Sequence, residues 1–239
     1  MTFTVMATCP TSGRIGVGIA TYSLAVGGYC PWIDGTTGAI STQANVNLKL
    51  GPLGMALFKL GFAPQKILAE FESDDPNFSY RQVGIVDRQR RAVAHTGPDA
   101  RDWKGHHCGD GYLTMGNGLV GPQVIEAMAD AFEASAGETL DERLLRSLEA
   151  GRDAGGQGDP VDGHRPERSA GLHIYRGEPY AEMDLRVDVH DTAVEELRRI
   201  HTAYKPYIPY YELRHRDPEH TPAQHKWVRE MEEKLLRGE

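Results

Sequence analysis

The sequence is short of cysteine, has no surplus of positive charge and contains no long apolar run, and each shortage removes a class of protein. Three cysteines, Cys9, Cys30 and Cys108, are scattered over 239 residues. An odd, widely spaced set suits reduced thiols in a cytoplasm, where the protein is expected to reside, better than a disulfide framework. No stretch approaches the roughly 18 apolar residues of a spanning helix, and no basic segment leads into an apolar one at the start, so neither a membrane partner nor an export signal is expected. Lys and Arg number 26 against 34 Asp and Glu, a formal charge of −8, which repels phosphate backbones and argues against a nucleic-acid partner. What is present, 40% apolar and 25% charged residues, is the composition of a globular domain with a sizeable core. No internal repeat or low-complexity segment stands out.

Periodicity then assigns the elements. In MTFTVMAT, Thr2, Thr4, Met6 and Thr8 alternate with Phe3, Val5 and Ala7, the period of a strand. The turn CPTSG and the segment RIGVGIATYS complete a hairpin over residues 2–22. Gly-rich LAVGGYCPWIDGTT reads as a loop, and GAISTQA, residues 38–44, as a third strand. Leu53, Leu57 and Leu60 predict a helix ending at Gly61, and Ile67, Leu68 and Phe71 a second one after Pro64. A hairpin over QVGIVDRQRRAVAHTG and a strand in GYLTMGNGLVG follow. Two helices come next, one with Val124, Ile125, Met128 and Phe132 on a face, the other opened by a Thr139 and Glu142 capping box ahead of Leu140, Leu144, Leu145 and Leu148. Residues 151–168 carry Gly and Pro without periodicity and read as a long mobile loop. SAGLHIYR and AEMDLRVDV predict two strands, and Thr192 with Glu195 opens a helix whose stripe is Val194, Leu197, Ile200 and Tyr204.

Strands and helices thus come in blocks, which argues for antiparallel sheets with helices on their faces, an α+β domain over residues 1–204. Residues 205–239 change character: Tyr207, Tyr210 and Tyr211 interleave with Pro206 and Pro209 before a charged amphipathic helix. This extension reads as a packing or oligomer arm, and a homo-oligomer is expected.

The chemistry-bearing candidate is Thr2. Removal of Met1 exposes a hydroxyl beside its own α-amine, and an α-amine titrates near 8 (roughly 7.7–8.0), so nucleophile and base share one residue. A strand-starting threonine is the plainer reading of the same residue. His106, His107, Cys108 and Asp110 are metal-ligand types, but no CxxC or HxxxH spacing completes a set, and no metal or cofactor is expected. The glycine pairs lack GK[ST] and a strand-to-helix setting, so they are not phosphate loops. Cys30 has no base placed beside it.

Several separated segments, TFTVMATCPTSGRIGVGIATYSLAVGGYCPW, GAISTQANVN, YRQVGIVD, HTG, GYLTMGNGLVGPQVIEAMADAFE and LRVDVHDTAVEELRRI, resemble the domain-of-unknown-function family 1028 over about residues 2 to 200. That family is similar to the N-terminal-nucleophile hydrolases. The resemblance implies a four-layer αββα sandwich of antiparallel sheets, cleavage of an amide bond in a small molecule or peptide, and Thr2 as the nucleophile. DPVDGHRP departs from the compact Gly, Asp, Arg and Gln run of the family. Acyl transfer also needs an oxyanion hole. Gln43, Asn45 and Asn117, all at strand ends, are its candidates beside their role as turn-capping amides. Ser23 is placed to polarise the Thr2 amine. Arg168 and Ser169, where the long loop re-enters a strand, are candidates for binding a substrate carboxylate, and His95 for a proton carrier at the substrate. A non-catalytic ligand-binding or assembly protein on the same scaffold remains the alternative.

Overall fold

A computed structural model describes residues 1–159, 161 and 163–237, the side chains of Leu235 and Leu236 excepted. The opening hairpin forms as its alternation predicts, with β1 (Thr2–Thr8) antiparallel to β2 (Ile15–Thr21) and Thr2 opposite Thr21. The Gly-rich segment that follows is not wholly a loop. After a short 3-10 turn at Val26–Gly28 it contains β3 (Pro31–Asp34), paired with β4 (Gly38–Ala44). Pro31 is the first residue of an edge strand, where a missing N–H costs no ladder bond, so proline misdirected the reading there.

Helices α1 (Leu50–Lys59) and α2 (Pro64–Asp74) are followed by the hairpin β5 (Arg81–Asp87) and β6 (Ala92–Thr96). Next comes a strand that the periodicity does not reveal, β7 (Lys104–Gly109), pairing with β8 (Tyr112–Asn117). Its sequence KGHHCG lacks apolar alternation because β7 is an exposed sheet edge. Helix α3 (Gln123–Ala134) buries the expected face, as does α4 (Leu140–Asp153). The expected capping box does not form: Thr139 occupies the N-cap position but makes no side-chain cap, and the Glu142 carboxylate turns to Arg146 and Arg198.

Residues 151–168 also differ from the mobile loop of the sequence reading, Pro160 and Asp162 lying outside the described residues. The segment continues α4, then pairs β9 (Gly158–Asp159) with β10 (Gly163–His164). The chain returns in β11 (Ser169–Tyr175) and β12 (Ala181–Val187) and enters α5 (Ala193–Tyr204).

The strands make a six-stranded sheet in the order β12-β11-β2-β1-β8-β7 and a four-stranded sheet in the order β3-β4-β5-β6. Met6, Val17, Leu113 and Met115 of the first meet Ala39 and Val86 of the second in a core layer between the sheets. The outer face of the smaller sheet packs on α1 and α2 through Ile40, Leu50, Phe58, Ile67, Phe71 and Ile85. The larger sheet packs on α4 at two glycines. A Cβ at Gly16 would lie 2.6 Å from Leu144 Cδ1, and one at Gly18 3.1 Å from Leu148 Cδ1, so the glycines let the leucine stripe approach the sheet closely. The result is a four-layer αββα sandwich with antiparallel pairing throughout the named strands.

The chain divides into two compact units, Met1–Arg198 and Arg199–Glu239. In the second, a 3-10 turn at Lys205–Tyr207 leads into α6 (Ile208–Arg216), and α7 (Gln224–Arg237) follows. The Trp227 ring of α7 lies tilted against those of Tyr207 and Tyr210, at 5.4 and 5.0 Å between centroids, and the Tyr210 hydroxyl donates to the Pro222 carbonyl. No helix among the described residues is long and apolar enough to cross a membrane.

Candidate functional site

One end of the layer between the sheets is polar. Thr2 opens β1, an interior strand, with Thr21 of β2 on one side and Asn117 of β8 on the other. By strand alternation Thr2, Thr4 and Met6 all face the second sheet. Thr2 is 7% exposed. Its hydroxyl is 2.9 Å from Thr21 Oγ1. Because Thr21 donates its own proton to the Met1 carbonyl, the Thr2 hydroxyl is the donor in that pair. The Ser23 N–H also points at Thr21 Oγ1, at 3.4 Å.

Met1 lies across Gly118, whose left-handed φ of 59° and missing Cβ leave room for the methionine side chain. The α-amine of Met1 is held below the ordinary range, by burial first and then by the Arg101 cation, against an opposing pull from Cys30. Burial pushes the Cys30 thiol itself up to about 12, which removes it as a nucleophile near neutral pH.

Beneath Thr2 runs a network of buried side chains. Thr4 donates to Gln43 Oε1 at 2.6 Å, Gln43 Nε2 to Gln82 Oε1 at 2.8 Å, and Asn117 Nδ2 to the same Gln82 oxygen at 3.0 Å. Gln82 Nε2 in turn donates to the Gly116 carbonyl and to Thr96 Oγ1, both at 2.9 Å. The structure therefore brings Gln43 and Asn117 together, and the residue that joins them, Gln82, escaped the sequence reading. Its signal is parity: in the register of β4 with β5, Gln82 lies opposite Gln43 and shares the core-facing side with Gly84 and Val86. A polar residue on an inward side calls for a partner.

The loops beside Thr21 are tied to this end. Ser169 Oγ donates to the Ser23 carbonyl at 2.8 Å and accepts from the Val26 N–H, so Ser23 and Ser169 meet. The Ser23 side chain is exposed and its hydroxyl stands against Tyr29, whose own acidity burial weakens. The Arg168 N–H donates to the Thr21 carbonyl at 2.8 Å, and its guanidinium lies 5.4 Å from the Tyr22 ring centroid. Gln157, fully buried and also unforeseen, accepts from the Tyr22 N–H at 2.7 Å and donates to the Pro166 carbonyl. These bonds hold Gln157, Pro166 and Arg168 against the end of β2.

Two candidates lie elsewhere. His95 stacks on Phe78 at 4.1 Å and bonds its carbonyl, on the side of the smaller sheet that faces α2. Asn45 is exposed just past Ala44, whose φ of 70° swings the chain out of β4; its backbone makes hydrogen bonds with Tyr80 and Arg81. His106 and His107, adjacent on β7, point to opposite faces, one to Thr96 and the other to Tyr112.

The strands and helices thus form an αββα sandwich in which Thr2 heads an interior strand. The chain belongs to DUF1028, a family of unknown function, whose model matches residues 2–197. It is 29% identical to a Silicibacter pomeroyi protein of the same family, with a TM-score of 0.77 to that crystal structure over 85% of this chain and 86% of the other. Anbu (ancestral beta-subunit) from Yersinia bercovieri is 11% identical over 88% of this chain and 97% of its own, at a TM-score of 0.40. Thiobacillus denitrificans BPH is 13% identical over 75% and 100%, at 0.39. Scores of that size support no functional argument. No curated protein matches the chain significantly.

Proposed function

We propose that this protein is an amide hydrolase of the N-terminal-nucleophile type, with Thr2 as nucleophile once the bond between Met1 and Thr2 is cut. The observation that carries the reading is the setting of the Thr2 hydroxyl: at the head of an interior strand, bonded to Thr21 and flanked by Asn117. A freed α-amine at Thr2 takes the hydroxyl proton as Oγ attacks the amide carbonyl. The tetrahedral oxyanion collapses with departure of the amine, which receives that proton. Water then attacks the threonyl ester with the α-amine again as base, releasing the acid. Arg101, whose charge disfavours protonation of the Met1 amine, acts in the same direction on an amine one residue along. Asn117 commits one Nδ2–H to Gln82 and keeps the other for the oxyanion. Gln43 and Gln82 hold Asn117 in place, and Ser23 with Ser169 shapes the adjoining loop.

Intact mass and one Edman cycle on protein from its own cell test the first requirement. Loss of methionine is expected, followed by covalent labelling of Thr2 with a threonine-directed acylating probe. Retained methionine in the mature protein would leave the scaffold as a ligand-binding or assembly module instead.

A further inference from the structure

The pattern of ion pairing singles out the Thr2 end by a separate route. In the unit Met1–Arg198, all arginines but two use the guanidinium to bond a carboxylate or a backbone carbonyl. The two whose guanidinium has neither kind of partner among the described residues are Arg101 and Arg168. Both are anchored at the Thr2 end by their backbones. The Arg168 N–H donates to the Thr21 carbonyl at 2.8 Å, and the Arg101 carbonyl accepts from the Gly118 N–H at 2.9 Å. Thr21 and Asn117 are the two residues that pair with Thr2, so the arginines stand on either side of it. Arg101 is exposed and Arg168 half-buried against Tyr22, which leaves both forks open to a ligand.

A chain with 34 acidic residues and a net charge of −8 has carboxylates in surplus. It gives the sandwich's other arginines a carboxylate or a backbone carbonyl, as with Arg88 on Gly35 and Arg143 on Phe132, yet leaves these two with neither among the described residues, around one hydroxyl. A guanidinium presents paired N–H donors that match a carboxylate bidentately, and it keeps its charge at any physiological pH. We propose that the amide cleaved at Thr2 carries a carboxylate close to the scissile bond, held by Arg168 and Arg101. This rests on the hydrolase reading above and adds the substrate class to it.

Calorimetry on full-length Thr2→Ala protein, which binds without turnover, tests the anion site with N-acetylglycine and its uncharged methylamide as probes. The carboxylate is expected to bind about tenfold more tightly. Arg168→Gln and Arg101→Gln should each cut that preference to about threefold or less, Arg168→Lys should keep part of it, and added salt should weaken it. Unchanged unfolding temperatures are expected, since neither guanidinium has a hydrogen bond among the described residues to lose. Equal affinity for the two probes, failure to bind the carboxylate, or a preference that survives both glutamine variants overturns the proposal. Labelling of wild-type Thr2 by an uncharged acylating probe is read separately. Labelling without a carboxylate preference removes the anion site and leaves the nucleophile, whereas a carboxylate preference without labelling supports the anion site and removes the hydrolase.

Discussion

The two ends of the layer between the sheets are built from the same strands and behave as opposites. At one end Met6, Val17, Leu113, Met115, Ala39 and Val86 pack as an apolar cluster. At the other, two strand steps away along β1, Thr4, Gln43, Gln82 and Asn117 fill the equivalent space with hydrogen-bonded side chains and Thr2 closes the row. The apolar end gains free energy from removing surface from water, about 1.5–3 kcal/mol for each large side chain fully buried. The polar end gains little net from each bond but loses about 1–3 kcal/mol for every buried group left without a partner. The apolar end tolerates substitution by other apolar shapes, whereas the amides of the polar end are oriented by their partners. A buried amide network is therefore the more exacting use of interior space, and it lies directly under the proposed nucleophile.

Substitutions can break that contrast. Thr2→Ala should lower acylation and amide cleavage by about a thousandfold or more, while Thr2→Ser keeps labelling by the probe. Leu113→Ala, at the apolar end, should cost about 2–5 kcal/mol in denaturant unfolding yet leave the second-order rate of Thr2 labelling within about twofold. Gln82→Leu should cost less stability, about 1–3 kcal/mol, but slow labelling about tenfold, because Asn117 and Gln43 lose the oxygen that orients them. A Gln82→Leu protein that labels as fast as wild type would show that the network is packing alone. Thr21→Val, nearly isosteric, should cost about 1 kcal/mol and slow labelling by a smaller factor than Gln82→Leu, as Thr2 loses its acceptor.

The smallest expected effect is one of pH. Glu167 is buried beside Gln157 and its carboxyl is held above the ordinary range, by burial first and with Glu195 adding to it, against the Gln157 N–H and His164. Between the usual glutamate value of about 4.3 and its raised value the folded state keeps a proton that the unfolded chain releases. Stability must then fall as pH rises through that window and stay lower above it. Glu167→Gln should remove this part of the slope and be the more stable protein at neutral pH, which urea unfolding at several pH values measures. A variant with the wild-type slope would place the titration elsewhere.

Much of the architecture was legible because period and face are local properties. The alternation in residues 2–8, the strand at 38–44 and the leucine stripe of α4 appear in the structure where the spacing puts them. The misses share a cause as well. β3 has only four residues, and β7 leaves His106, His107 and Cys108 exposed in succession, so neither carries a two-faced pattern to read. Residues 151–168 look featureless in sequence, whereas Gln157 within them is placed by its bonds to Pro166 and to distant Tyr22.

The sequence alone determined the blocks of strand and helix, the faces they bury, the resemblance to a family and the choice of Thr2, since each depends on residues a few positions apart or on a recognisable segment. Tertiary structure decided which polar groups meet. Gln43 and Asn117 lie 39 and 35 residues from Gln82; Gln43 meets it through the register of β4 with β5, and Asn117 through the stacking of the larger sheet on the smaller. Arg101 and Arg168 reach the two flanks of Thr2 through backbone bonds that no local pattern encodes. Side-chain periodicity specifies the face a residue presents; the partner on the other side of that face is set by packing between distant segments.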